Sequence, residues 1–180
     1  DTDTLMQRAD TAMYHAKGTG GNDYTFFSEQ MNVAVAVTQA VRGELGQALA
    51  GGEFALHYQP QIDLASGRVI GAEALLRWHS PKRGLVLPDE FIAIAEDCGL
   101  IVPIGEWVLQ EACRQAVLWQ QAGLPELTVA VNLSVRQLHD PRLLEDVADA
   151  LSASGLDPQC LTLEITESML IEETDRGSRA

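Results

Sequence analysis

Apolar residues recur along this chain in two rhythms, one of three to four residues and one of two. Leu5, Ala9, Ala12, Met13 and Ala16 hold the longer period and predict a helix over residues 4–17. The run Lys17 to Asn22 ends it, since its glycines supply the positive φ of caps and turns. Tyr24 to Phe27 reads as a short strand. Ala34, Thr38, Val41, Leu45, Ala48 and Leu49 make a second helical stripe over residues 31–50, closed by Gly51-Gly52. That helix is either a connector packed on the segment C-terminal to it or a rigid transmitter or dimerisation helix. One helix and one strand cannot bury a core, so residues 1–32 read as the tail of some larger domain and 33–53 as the connection.

From Phe54 the period shortens to two. Phe54 to Gln59 alternates as a strand that Pro60 stops. A turn over Asp63 to Gly67 leads into a second strand, Arg68 to Leu76. Residues 79–87 read as a Pro/Gly-bearing loop, and Pro88 opens a helix that Gly99 caps. Ile104, Val108, Ala112, Ala116 and Trp119 mark a longer helix, Leu127 to Leu133 a third strand, residues 141–153 another helix, and Leu161 to Thr166 a fourth strand. From Ile171 the chain reads as the start of one more helix. Strands separated by helices of this length predict an α/β fold of parallel βα units, either a barrel or an open doubly wound sheet.

Strand parity then sorts the polar residues. Glu73 shares a face with Val69, Gly71, Leu75 and Arg77; Asn132 shares one with Thr128 and Ala130; Glu164 shares one with Thr162 and Thr166. The opposite faces are almost wholly apolar and suit packing on helices. The polar faces therefore point the other way, which in a barrel is inward, and all three groups lie toward the C-terminal ends of their strands, where such folds build their sites. Two carboxylates and an amide are oxygen donors that suit Mg²⁺ or Mn²⁺ better than zinc. Gln59 and Arg77 are placed to hold a polar or anionic ligand beside the metal. The alternative is structural: an ordinary Glu73–Arg77 ion pair, with Asn132 and Glu164 satisfying loop backbone.

Composition narrows the partners. A 46% hydrophobic, 21% charged chain is globular, and its net charge of −14 argues against a nucleic-acid polymer or an anionic membrane surface. The three cysteines, Cys98, Cys113 and Cys160, show no metal-ligand spacing and read as buried free thiols in a reducing, cytoplasmic setting. No apolar run reaches transmembrane length, although an upstream anchor is compatible with a sequence that does not begin at Met.

The motifs together resemble a known family. Tyr58-Gln59-Pro60, Glu73-Ala74-Leu75-Leu76-Arg77-Trp78, Pro88 with Phe91-Ile92 and Ala95-Glu96, Val131-Asn132-Leu133-Ser134 and Leu163 to Ser168 come in the order of the EAL domains, the phosphodiesterases of cyclic di-GMP. Ala9-Asp10, Ala12-Met13-Tyr14, Ala16-Lys17, Gly21-Asn22 and Phe26-Phe27 resemble the end of a GGDEF (diguanylate cyclase) domain, a common tandem partner. The resemblance implies a TIM-like barrel over residues 54–180, with Mg²⁺ or Mn²⁺ activating a water that opens cyclic di-GMP to linear pGpG. It makes Glu73, Asn132 and Glu164 the catalytic metal ligands, sets Gln59 and Arg77 on the dinucleotide with Arg77 at a phosphate, and lines the pocket with Leu76 and Pro88. A homodimer is compatible with it. The family's later paired aspartates and lysine have no counterpart in these 180 residues, about half of an eight-stranded barrel, so the chain by itself is expected to be inactive. A non-catalytic cyclic di-GMP receptor is the competing expectation.

Overall fold

The computed structural model describes residues 1–18, 24–124 and 127–165. They divide into two compact units, Asp1–Glu44 and Leu45–Ala180. The first holds α1 (Thr2–Gly18) and most of α2 (Glu29–Ala48). The Asp1 carboxylate caps α1 by accepting the Thr4 N–H at 2.9 Å. Arg8 pairs with Glu29 at 3.4 Å and lies 5.1 Å over the Phe27 ring. The strand predicted at Tyr24–Phe27 is not formed among the described residues, where these positions are irregular. A strand is made by its neighbour's hydrogen bonds, and the first unit offers none among the described residues.

The second unit is built on one sheet. Its strands are β1 (Phe54–Ile62), β2 (Val69–Ser80), β3 (Gly84–Val86), β4 (Thr128–Leu133) and β5 (Leu161–Ile165), in the order β1-β2-β4-β5 with β3 paired to the end of β2. β1 and β2 form an antiparallel hairpin, while β2, β4 and β5 run parallel. The hairpin turn follows its sequence. Asp63 Oδ1 accepts Ser66 N–H and O–H at 2.8 and 2.6 Å, and Gly67 takes the required φ of 69°. Those Ser66 hydrogen bonds hold the Asp63 carboxyl below its usual range.

Two boundaries differ from the sequence reading. Pro60 does not stop β1, which continues to Ile62 with Pro60 opposite Ala72. Among the described residues β1 lies at the sheet's edge, where a missing N–H need not break a ladder. The loop read over 79–87 instead extends β2 to Ser80 and contains β3, with Trp78 opposite Val86 and Ser80 opposite Gly84. The Ser80 hydroxyl accepts the Lys82 and Arg83 N–H groups at 3.3 and 3.4 Å, tightening that turn.

Helices α3 (Pro88–Cys98) and α4 (Ile101–Gln121) cover the sheet, α6 (Leu143–Ser154) packs on α4, and a single turn, α5 (Val135–Leu138), comes after β4. Pro88 opens α3, and Gly99 ends it with a φ of 79°. The apolar strand faces are buried as parity requires: Ala72, Ala74, Trp78, Val129, Val131 and Leu133 are all in the core. They meet the apolar stripe of α4, where Ile104, Leu109, Ala112, Cys113 and Ala116 are buried. Trp78 and Phe54 pack with Phe91 in an aromatic cluster, at centroid distances of 5.7 and 6.0 Å.

Gly71 permits the closest strand approach. A side chain there would meet the Thr128 carbonyl at 2.8 Å. Cys98, Cys113 and Cys160 are free thiols, and among the described residues no helix is long and apolar enough to cross a membrane. Residues 19–22 of the expected glycine turn, Thr166 at the end of the fourth strand and the helix expected from Ile171 lie outside the described residues.

Candidate active site at the strand ends

Register brings the polar residues of four strands onto one face of the sheet. Gln59 lies directly opposite Glu73 across the antiparallel pair, and Asn132 lies opposite Glu164 across the parallel pair. Glu73 and Asn132 are joined directly, the Asn132 Nδ2 donating to Glu73 Oε1 at 2.6 Å. These residues are 59 apart in sequence, and they meet because Glu73 is in register with Ala130, one pleat below Asn132. Glu73 and Glu164 are half-buried; Gln59 and Asn132 are exposed.

Arg77 falls on the same face by parity. It forms no ion pair with Glu73; its Nη1 donates to the Leu76 carbonyl at 2.8 Å. The structural alternative of a Glu73–Arg77 bridge is thus not what satisfies Glu73. Among the described residues one of the five N–H donors of its guanidinium is used, at Leu76, and the others can meet an anion.

Leu76 and Pro88 occupy a different wall. With Leu75, Ile92, Ile104 and Asn132 they line a cavity of about 550 Å³ between the ends of β2 and β4 and helices α3 and α4. Asn132 belongs to both regions, so the polar face and the apolar cavity meet at its side chain. A mostly apolar recess with a few convergent polar groups is the usual form of a small-molecule site.

The chain after Asn132 is fixed by a feature not singled out in the sequence. Ser134 caps α5: its hydroxyl accepts the Gln137 N–H at 3.2 Å, while Gln137 Oε1 accepts the Ser134 N–H at 3.1 Å. Gln137 is buried beneath Gly105 of α4, where a side chain would come within 2.6 Å of its Cδ. The Ser-x-x-Gln spacing is a capping-box signature and was the available signal. Arg136 ties the same turn to α3, donating from Nη1 to the Glu96 carbonyl at 2.7 Å.

The donor set fits a divalent cation. Glu73 and Glu164 supply carboxylate oxygens, and the Asn132 amide already reaches Glu73; rotating that amide by half a turn presents its oxygen instead. Among the described residues no group of three or more His, Cys, Asp or Glu side chains forms a site of its own.

Comparison with known proteins gives the chain its family. The EAL domain family model matches residues 42–179. The chain belongs to the EAL domain family. It is 46% identical over 171 residues to the bifunctional diguanylate cyclase/cyclic di-GMP phosphodiesterase MucR of Pseudomonas aeruginosa, covering 95% of this chain and 25% of MucR. It is 39% identical over 175 residues to the cyclic di-GMP phosphodiesterase PdeR of Escherichia coli, covering 97% of this chain and 26% of PdeR. Among solved structures, a MucR phosphodiesterase–c-di-GMP complex superposes with a TM-score of 0.71 at 45% identity, over 76% of this chain and 56% of that one. The c-di-GMP-bound FimX EAL domain of Pseudomonas aeruginosa superposes with a TM-score of 0.65 at 32% identity, over 75% of this chain and 53% of that one. This EAL chain thus spans about a quarter of its relatives' length and a little over half of the solved domains. Its mixed sheet and covering helices correspond to part of the family's TIM-like barrel.

Proposed function

We propose that the whole protein is a cyclic di-GMP phosphodiesterase that opens the cyclic dinucleotide to linear pGpG. The observation carrying this reading is the contact between Glu73 and Asn132, with Glu164 in register beside them and Gln59 across from Glu73. Relatives named as phosphodiesterases, and solved relatives complexed with c-di-GMP, support it.

In this reading Glu73, Asn132 and Glu164 hold Mg²⁺ or Mn²⁺; divalent-metal dependence belongs to the family's phosphodiesterases. A bound metal would lower the pKa of a water and offset charge developing on the phosphodiester. Arg77 then orients the phosphate through its unspent donors, and Gln59 offers an amide beside Glu73. Leu76 and Pro88 supply the apolar wall on which part of the dinucleotide rests. The described residues carry five strands of the sheet, and we expect no turnover from the 180 residues alone. We further propose that residues 1–32 derive from a GGDEF-like domain, that 33–53 connect it to the EAL portion at 54–180, that the protein works in the cytoplasm and that it can form a homodimer.

The test is incubation of the whole protein with cyclic di-GMP and Mg²⁺ or Mn²⁺, with products separated by chromatography. Conversion to pGpG is expected. Tight binding without conversion would replace the enzyme with a receptor, and neither binding nor conversion would refute both.

A further inference from the structure

We infer that Glu53 is a positioning residue for Arg77; the inference rests on the phosphate-binding role proposed for that arginine. Arg77 stands near the end of β2, beyond the stretch that β4 supports, since the β2–β4 register covers only Gly71 to Ala74. Among the described residues its side chain makes a hydrogen bond to the carbonyl of the residue before it, at 2.8 Å. There β2 is held by β1 on one side, with Ala55 opposite Arg77 and Phe54 opposite Trp78, and β3 joins only at Trp78, so the residue just before β1 closes the ladder around Arg77.

Glu53 grips the two residues after Arg77. Its Oε2 accepts the Trp78 indole N–H at 2.8 Å, and its backbone carbonyl accepts the His79 N–H at 2.7 Å. The Trp78 ring is fully buried and wedged against Phe54 and Phe91, at 6.4 and 5.7 Å. Its plane therefore cannot turn without breaking the bond to Glu53. Trp78 and Arg77 point to opposite faces of the strand, so fixing one side chain and the next amide fixes the direction of the other.

Glu53 is anchored in turn. Its N–H donates at 3.0 Å to the carbonyl of Ala48, the fully buried last residue of α2. Gly51 leaves room for its carboxylate, because a side chain at 51 would stand 3.1 Å from Glu53 Oε1. The end of α2, Glu53 and the two residues after Arg77 thus form one continuous chain of contacts.

The test compares Glu53→Ala with Glu53→Gln in the whole protein, since the glutamine oxygen can still accept the indole N–H. Crystal structures of both variants read the position of Arg77, and steady-state kinetics with cyclic di-GMP read the consequence. Glu53→Ala should move the guanidinium off the Leu76 carbonyl and raise KM about tenfold with kcat within about twofold, while Glu53→Gln stays near wild type. Arg77 unmoved in Glu53→Ala, an unchanged KM, a loss in kcat alone, or equal losses in both variants that track their melting temperatures would each overturn the inference. If the wild-type protein does not turn over cyclic di-GMP, the proposed phosphodiesterase fails, and the position of Arg77 in the variant crystals still decides the role of Glu53.

Discussion

The two faces of one sheet obey different rules in this molecule. On the helix-facing side, Ala72, Ala74, Trp78, Val129, Val131 and Leu133 are buried under α3 and α4, and the Trp78 indole N–H is satisfied by Glu53. On the other side, alternate residues of the same strands present Gln59, Glu73, Asn132 and Glu164, half-buried or exposed, with Gln59 opposite Glu73 and Asn132 opposite Glu164. The first face lowers the free energy of the fold through area removed from water. The second keeps carboxylates together at a cost that only a cation or hydrogen bonds offset. Stability and chemistry are thus separated by a single pleat, and substitutions on the two faces should separate in the same way.

The largest effect is expected on the buried face. Trp78→Ala removes the largest fully buried side chain and should cost about 3–5 kcal/mol in urea or thermal melts of the whole protein. A loss below about 1 kcal/mol would mean that the aromatic cluster does not hold the sheet. On the polar face Glu73→Ala should leave the melting temperature within a few degrees yet lower turnover of cyclic di-GMP at least about a hundredfold, a barrier change of ~2.7 kcal/mol or more. Retained turnover would remove Glu73 from the proposed metal site, and collapse of the fold would erase the proposed division between faces.

Gly105→Ala sharpens the comparison where the faces meet. The added carbon would displace buried Gln137 and loosen the cap that comes after Asn132, at roughly 1–3 kcal/mol. If stability and Asn132 geometry both survive, the capping turn does not support the site.

The smallest predicted effect is alkaline. Burial pushes the Cys113 thiol up from 9.0 to about 11, and burial, together with the nearby Glu111 charge, likewise raises the Tyr58 phenol. A folded state that keeps a proton the unfolded chain would release loses stability as pH rises. The Cys113 contribution should be intact below pH 9 and fade toward about 11, by roughly 1–2 kcal/mol. Cys113→Ala should flatten that part of the melting profile, and an unchanged slope would show that the folded thiol gives up its proton no later than the unfolded one.

Much of the fold was legible because local chemistry announces it. Pro88 and Gly99 delimit α3 as their backbone preferences require, and the stripe from Ile104 to Ala116 is the buried face of α4. The parity argument placed Glu73 and Asn132 on one side, and their hydrogen bond agrees. The misreadings concern what neighbours supply. Among the described residues Tyr24–Phe27 has strand composition but no ladder to join, Pro60 is tolerated only because β1 is an edge, and β3 exists because the end of β2 offers it a partner. Glu53 gave no local signal, since its worth lies in Trp78 and His79, twenty-five and twenty-six residues away.

The sequence by itself determined the periods, the breakers and the kind of donor at each strand end, because these depend on backbone preference and side-chain chemistry alone. Only the tertiary structure decided which donors meet. Register between strands far apart in sequence set Asn132 on Glu73 and Glu164 beside Asn132, whereas Arg77, four residues from Glu73, turned to its own neighbour's carbonyl. Strand pairing is set by the packing of whole faces, and no single residue encodes it.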